Sequence, residues 1–195
     1  MVITEHTELA EPSEEQELRT EARDVAPRKP PRVGVPGLLL GIGLGGFVDG
    51  IVLHQVLQWH HMLSNTPDDS LGLEAYPVDT VAGLETNTLA DGFFHVGTWI
   101  AVVLGLAVLW RRVVKRPGPW SGRALLGAVL AGWGLFNLVE GIVDHHILQI
   151  HHVRMEADVD NVLLWDLGFL ASGAVLLALG TALHRWGRRR TIDLR

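Results

Sequence analysis

The chain has 195 residues, 48% of them hydrophobic and only 19% charged, and its mean hydropathy is above zero. Soluble domains carry roughly a quarter charged residues; here the charges lie between four long apolar stretches, which excludes an ordinary soluble globule and makes a polytopic membrane protein the working class. There is no Cys, so disulfides, thiolate metal ligands and cysteine nucleophiles are excluded, and the ten His fall almost entirely at the apolar segments.

Residues 1–32 are polar and Glu-rich and end in the basic run Pro27-Arg28-Lys29-Pro30-Pro31-Arg32. The order is wrong for a secretory signal, which puts positive charge before a short apolar core; a disordered cytoplasmic tail is expected. The transmembrane domain spans 33–190, with helices expected at about 36–61, 89–110, 124–152 and 162–186, and 191–195 forms a second short tail. Pro36 suits a first helical turn. Each stretch is long enough, at about 1.5 Å per residue, to cross a core of roughly 30 Å. Five Lys/Arg precede the first helix, five flank the link between the second and third, and five follow the start of the last basic cluster at Arg185, leaving Arg154 alone in the two other connections. The positive-inside rule therefore places both termini in the cytoplasm and the loops after helices one and three outside.

The sequence also repeats. Asp49-Gly50-Ile51-Val52-Leu53-His54-Gln55-Val56-Leu57-Gln58-Trp59-His60-His61 aligns without a gap on Glu140-Gly141-Ile142-Val143-Asp144-His145-His146-Ile147-Leu148-Gln149-Ile150-His151-His152. Asp91 and Asp166 match between the second helices of the halves. The expected fold class is thus all-α, a membrane four-helix bundle made of two tandem helical hairpins related about the membrane normal.

Acids and histidines inside membrane helices are expensive and ordinarily mark a site or a pathway. Counting from Pro36 puts Asp49 roughly 20 Å and His54 roughly 27 Å along the first helix. His95 lies one turn inside Asp91, and Glu140, Asp144, His145 and Asp166 fall at similar depth in the outer third. His60, His61, His151 and His152 are expected at the outer interface. At 100° per residue His54, Gln58 and His61 share one face, as do His145, Gln149 and His152. His54 and His61 are too far apart to hold one ion, and adjacent His60 and His61 diverge, so a metal site must be assembled across helices. The candidate ligands are Asp49, His54, Asp91, His95, Glu140 and His145. Asp144, Asp166, Gln58 and Gln149 would orient ligands or relay protons, and His60, His61, His151 and His152 would form an entrance. Imidazole and carboxylate without thiolate suit Fe, Zn, Mn or Cu(II), and the duplicated set has the makings of a binuclear site, although the Glu-x-x-His signature of soluble di-iron bundles is absent.

Bland readings stand beside these. Interfacial His pairs are tolerated where water is near, and Asp49 with His54 or His95 would serve equally as a polar clamp between helices. Gly41-Ile42-Gly43-Leu44-Gly45-Gly46 has the spelling of a dinucleotide fingerprint but lies inside an apolar helix after no strand, so helix packing through Gly41 and Gly45 is expected instead. The basic clusters are topology signals, and nucleic-acid binding has no support.

The strings Gly46-Phe47-Val48-Asp49-Gly50-Ile51-Val52-Leu53-His54, Asp91-Gly92-Phe93-Phe94-His95 and Glu140-Gly141-Ile142-Val143-Asp144-His145-His146 resemble the domain-of-unknown-function family 2243 of prokaryotic membrane proteins. The resemblance covers about Gly37 to Leu183 and implies a four-helix integral membrane protein, with no catalytic residues to transfer. It also implies a respiratory connection, since members are encoded in some genomes near assembly factors for haem–copper oxidases. The leading expectation is a multi-pass cell-membrane protein with a His/carboxylate metal site open to the extracellular or periplasmic side, working as a metal-dependent enzyme that activates water or dioxygen. One alternative is a metal-handling or assembly protein for a respiratory oxidase, with Met62 and Met155 capturing Cu(I). Another is a haem-binding bundle with His54 and His145 as axial ligands. Metal, substrate and oligomeric state stay open at this level.

Overall fold

The computed structural model describes residues 31–65, 76–115, 119–155 and 160–193. The expected tail over 1–32 lies outside them except for its last two residues, as do the two final residues of the chain. Four helical stretches make up the described chain, and none of it is strand. Helix α1 (Gly34–Val48) runs directly into a π-helical segment, π1 (Asp49–Val56). After a turn and a connection comes α2 (Val81–Val113). Helix α3 (Gly122–Glu140) likewise runs into π2 (Gly141–Ile147), and α4 (Val162–Asp193) closes the chain. All four stretches are long and apolar enough to cross a membrane, the shortest being the 23 residues of Gly34–Val56.

Local chemistry accounts for the starts. Ser121 and Thr80 accept the backbone N–H of Ala124 (3.2 Å) and Gly83 (3.1 Å), and Asn161 accepts that of Leu164 (3.1 Å); each satisfies a donor that a helix start leaves unpaired. Helix α2 begins two turns before the expected Leu89 because Thr80 supplies this cap. Helix α4 runs on through residue 193, seven residues past the expected end at 186.

Packing follows the order α2–α1–α3–α4, with α1 and α3 in the middle. Small residues let the backbones touch: a Cβ on Gly41 would collide with the Val129 carbonyl, and one on Gly132 with the Leu38 carbonyl. Gly45 faces the Trp133 ring. Without water to drive apolar burial, such close contact is what associates helices in lipid. Gly43 meets Thr98 and Val102 of α2, and Gly134 meets Gly173 and Leu177 of α4. The outer helices present Phe93, Trp99, Leu106, Leu164 and Leu179 outward, each more than half exposed, as a lipid-facing surface requires. His184 donates from Nδ1 to the Ala124 carbonyl at 2.6 Å and ties α4 to α3.

These contacts fix the topology. Residue numbers rise together across α1 and α3 and run oppositely across α1–α2 and α3–α4. Both π segments therefore end at the same end of the bundle, where α2 and α4 begin. The core there is polar: the largest fully buried side chains include His54, His145, His151, Asn87, Asp91 and Asp166.

Candidate metal centre

The π segments create the site. An α-helix turns about 100° per residue, which leaves residues five apart on different faces. With i→i+5 hydrogen bonding, residues five apart come onto one face. Asp49 and His54 are spaced in this way on π1, as are Glu140, the last residue of α3, and His145 on π2. Each segment then stops short of the expected helix end, at Val56 rather than 61 and at Ile147 rather than 152. The chain reverses at Gln58 and Gln149, whose φ values of 53° and 52° lie in the left-handed region. That reversal folds His60 and His151 back over the ends of their own helices. The helical phases expected for Gln58, His60, His61 and their counterparts are lost with it.

Six side chains converge as a result: Asp49, His54, His60, Glu140, His145 and His151, all between 0% and 4% exposed. Three overlapping groups have ligand atoms within 4.8 Å of one another: His54 with His60 and His151; Glu140 with His145 and His151; Asp49 with His54 and Glu140. The His60 and His151 rings stack at 4.7 Å between centroids and cross the midline between the halves. His54 sits 4.4 Å from His60, and His145 sits 4.9 Å from His151.

What surrounds the rings decides their protonation pattern. His60 Nδ1 faces the Val153 carbonyl at 2.8 Å, and His151 Nδ1 faces the Met62 carbonyl at 3.2 Å. A carbonyl only accepts, so both Nδ1 atoms carry hydrogen and both Nε2 atoms present lone pairs. Burial pushes His60 well below the usual imidazole range, helped by His151 beside it. Burial also holds His151 down, at about 4. Both are neutral at pH 7, the form that binds metal. His54 donates from Nδ1 to Asp91 Oδ1 at 2.9 Å. Asp91 also accepts His61 Nδ1 (2.7 Å) and the Met62 N–H (2.9 Å). In the other half Asp166 accepts His152 Nδ1 (2.7 Å) and the Val153 N–H (3.0 Å), while His145 Nδ1 lies 3.5 Å away.

Nε2 of His54, His60 and His151, both nitrogens of His145, Asp49 Oδ2 and both Glu140 oxygens have no hydrogen-bond partner among the described residues. Asp49 Oδ2 is 3.1 Å from His54 Nε2, but the two are not aligned as a hydrogen bond. Leaving one buried polar atom unsatisfied costs about 1–3 kcal/mol. Concentrating so many in one cluster is costly in an empty protein and ordinary in one that holds cations. Nitrogen and carboxylate donors with imidazoles tethered at the far nitrogen are what zinc and first-row transition ions take.

The residues singled out in the sequence divide accordingly. Asp49, His54, Glu140 and His145 lie in the cluster. Asp91 lies behind it, both oxygens occupied by His54, His61 and Met62; Asp166 plays the same part on the other side. His95 sits against Gly50 with Nε2 unpartnered, outside the three groups. Asp144 is half-buried, and Gln58 and Gln149 are exposed, with no side-chain hydrogen bond from either glutamine to a ring among the described residues. His61 and His152 are half-buried and hold the aspartates. His60 and His151, expected at a wet interface, are interior. The repeated Gln-x-His-His spelling was their one sequence signal, and it says nothing about the chain reversal that turns them inward.

Residues 36–187 match the family described as Predicted membrane protein (DUF2243), and the chain belongs to that family. No curated protein and no solved structure matches it.

Proposed function

We propose that this DUF2243 member is a metal-dependent membrane enzyme whose centre is held by Asp49, His54, His60, Glu140, His145 and His151. The observation that carries the reading is the convergence of unpartnered Nε2 and carboxylate oxygens from two equivalent hairpins. Six ligands in overlapping groups suit two ions better than one. Charge supports the same count, because Asp49, Glu140, Asp91 and Asp166 together neutralise two divalent cations in a site shielded from water. Iron, manganese, zinc and copper(II) all fit this donor set. Such ions supply a Lewis acid and an activated water or, if redox-active, a route to dioxygen. Asp91 orients His54, Asp166 stands 3.5 Å from His145 without a hydrogen bond, and the Val153 and Met62 carbonyls orient His60 and His151.

The sixteen Lys and Arg complete the topology. Among the described residues, Arg111, Arg112, Arg123, Arg185, Arg188 and Arg189 lie at the end opposite the cluster, and Arg154 lies at its end, over Trp59 and Trp165. The positive-inside rule then puts the termini in the cytoplasm and the centre in the outer leaflet. The matched turns and glycine contacts support descent from a duplicated hairpin.

The geometry favours this reading over the two alternatives. A metal-transfer protein needs exchangeable, accessible ligands, whereas His60 and His151 are interior and tethered. A haem held by His54 and His145 needs a macrocycle between them, where the His60 and His151 rings already stand in contact.

Elemental analysis of protein purified in detergent tests the proposal, beside a Glu140→Gln/His151→Ala variant. About two equivalents of metal per chain, lost in the variant, are expected for a site of this ligand count. Absence of metal after reconstitution with each of the four ions overturns it.

A further inference from the structure

The two hairpins end differently above their aspartates. In the first, Asn87 is fully buried. It accepts the Leu63 N–H at 2.8 Å and donates to the Tyr76 carbonyl at 2.8 Å. This latch draws the turn at 62–64 and the chain at Tyr76 over the Asp91–His61 pair. Counting from the paired aspartates, the matching position on α4 is Val162, the first residue of that helix. Among the described residues no latch stands there, and a cleft of about 290 Å³ is lined by His145, His146, Gln149, His152, Val162, Leu163 and Asp166. His152 is correspondingly more exposed than His61, 23% against 12%.

The wall has a definite chemistry. His146 Nδ1 is occupied by the Gly141 carbonyl (2.7 Å), and His152 Nδ1 by Asp166 (2.7 Å). Both rings therefore turn an Nε2 lone pair outward as an acceptor, with the Gln149 amide between them in sequence. Val162 and Leu163 form the apolar flank, and Leu163 is 57% exposed on the surface that faces lipid. At the floor is His145, neither of whose nitrogens has a hydrogen-bond partner.

Resting on the metal-enzyme reading, we infer that this cleft is the reactant site of the centre and takes a small hydroxyl-bearing amphiphile, an alcohol or phenol with a short apolar tail. The hydroxyl donates to the outward Nε2 atoms, and the tail lies along Val162 and Leu163 toward the bilayer. The volume is at the lower end of small-molecule sites, which limits the bound part to a single ring or a short chain. The first hairpin takes no such molecule, because the Asn87 latch occupies the equivalent space.

The test uses the metal-free full chain in nanodiscs and the probe 4-propylphenol. Carbethoxylation of individual histidines by diethyl pyrocarbonate is followed by peptide mass spectrometry. His152 should react about fivefold faster than His61, which the latch shields until it opens locally. The phenol should slow His146 and His152 and leave His61 unchanged. Val162→Trp, which fills the cleft, should slow the same two residues and remove the phenol's effect, with Leu163→Trp as a second filling variant. Thr88→Trp, at the place on α2 that matches Leu163, should change neither. The unchanged His61 rate also reports that each variant is folded. Equal rates at His61 and His152, or phenol protection that survives both filling variants, overturns the inference. Since no metal enters the assay, its failure is separate from a failure to find metal in the purified protein.

Discussion

The two hairpins build the same backbone device and tune it differently. Each has a π segment, a reversal at a left-handed Gln, and an aspartate that collects a histidine and a backbone N–H from the returning chain. In the first hairpin that aspartate also holds the imidazole from the π segment, Asp91 to His54 at 2.9 Å. In the second the equivalent pair, Asp166 and His145, stands at 3.5 Å without a hydrogen bond. The acid at the base differs as well, Asp49 against the longer Glu140. One arm of the centre is thus fixed, and the other keeps slack on the side where the cleft lies. A few side chains thus set the two arms apart while the helices that carry them stay matched.

The largest effects test whether the two arms share one centre. Asp49→Asn and Glu140→Gln each remove a carboxylate from an overlapping group. Each should lower affinity for both ions by more than about 100-fold, beyond the range of outer-layer changes. Chelator competition with metal analysis measures this. Loss of one ion only in each variant would show two independent sites instead of a joined one.

The next effect probes the difference in tether. Asp91→Asn should weaken metal binding by about 100-fold and Asp166→Asn by about 10-fold, the two ends of the usual span for residues that orient a ligand. The same titration decides it. Equal losses would mean that the 2.9 Å and 3.5 Å separations carry no energetic distinction, and the contrast between a fixed and a slack arm would fall.

Much of this is legible in the sequence. Four apolar stretches gave the helices, the basic residues marked one end, and Asp49, His54, Glu140 and His145 stood out as polar words in apolar context. Gly41 was readable as a packing residue because an intramembrane glycine without a turn has few other uses. The missing part comes from one physical assumption, that the helices stay α-helical to the His-His pairs. Under a 100° step Asp49 and His54 diverge, and His60 lies near the membrane surface. The shift to i→i+5 bonding leaves no compositional mark, and a left-handed Gln is not a residue that sequence flags, since glycine ordinarily fills that role. The same holds for the surroundings of Asp91: its burial is foreseeable, but the occupation of both its oxygens depends on where the returning chain lands.

A smaller effect concerns the stacked pair at the midline, where the halves meet as equals. His60 and His151 are held neutral in the folded protein and titrate near the ordinary 6.5 when unfolded. The unfolded chain therefore binds more protons below that value, and stability falls with pH. For His151, whose folded value is about 4, the stability present above pH 6.5 should drain away between about 6.5 and 4, on the order of 3 kcal/mol. Thermal unfolding of metal-free protein across that range measures it. Replacing His151 with Gln should flatten the profile. A profile just as steep without His151 would place the acid sensitivity elsewhere.

The smallest effect tests how far the matching of the backbones extends. Gln58 and Gln149 hold φ near 53° and 52°, where a side chain costs about 1–2 kcal/mol and glycine almost nothing. Glycine also raises the freedom of the unfolded chain, which offsets part of that gain. Gln58→Gly and Gln149→Gly should each stabilise metal-free protein by about 0.5–1 kcal/mol, by equal amounts, read as a rise in Tm. Equality follows from the shared turn, because both side chains are exposed and neither hydrogen-bonds a ring among the described residues. The two should part company only with 4-propylphenol present. Gln149 lines the cleft and Gln58 does not, so Gln149→Gly should weaken the phenol's protection of His152 while Gln58→Gly leaves it intact. Unequal stabilities without the phenol would mean that the turns differ in energy despite their common dihedral, and that the asymmetry of the centre begins in the backbone.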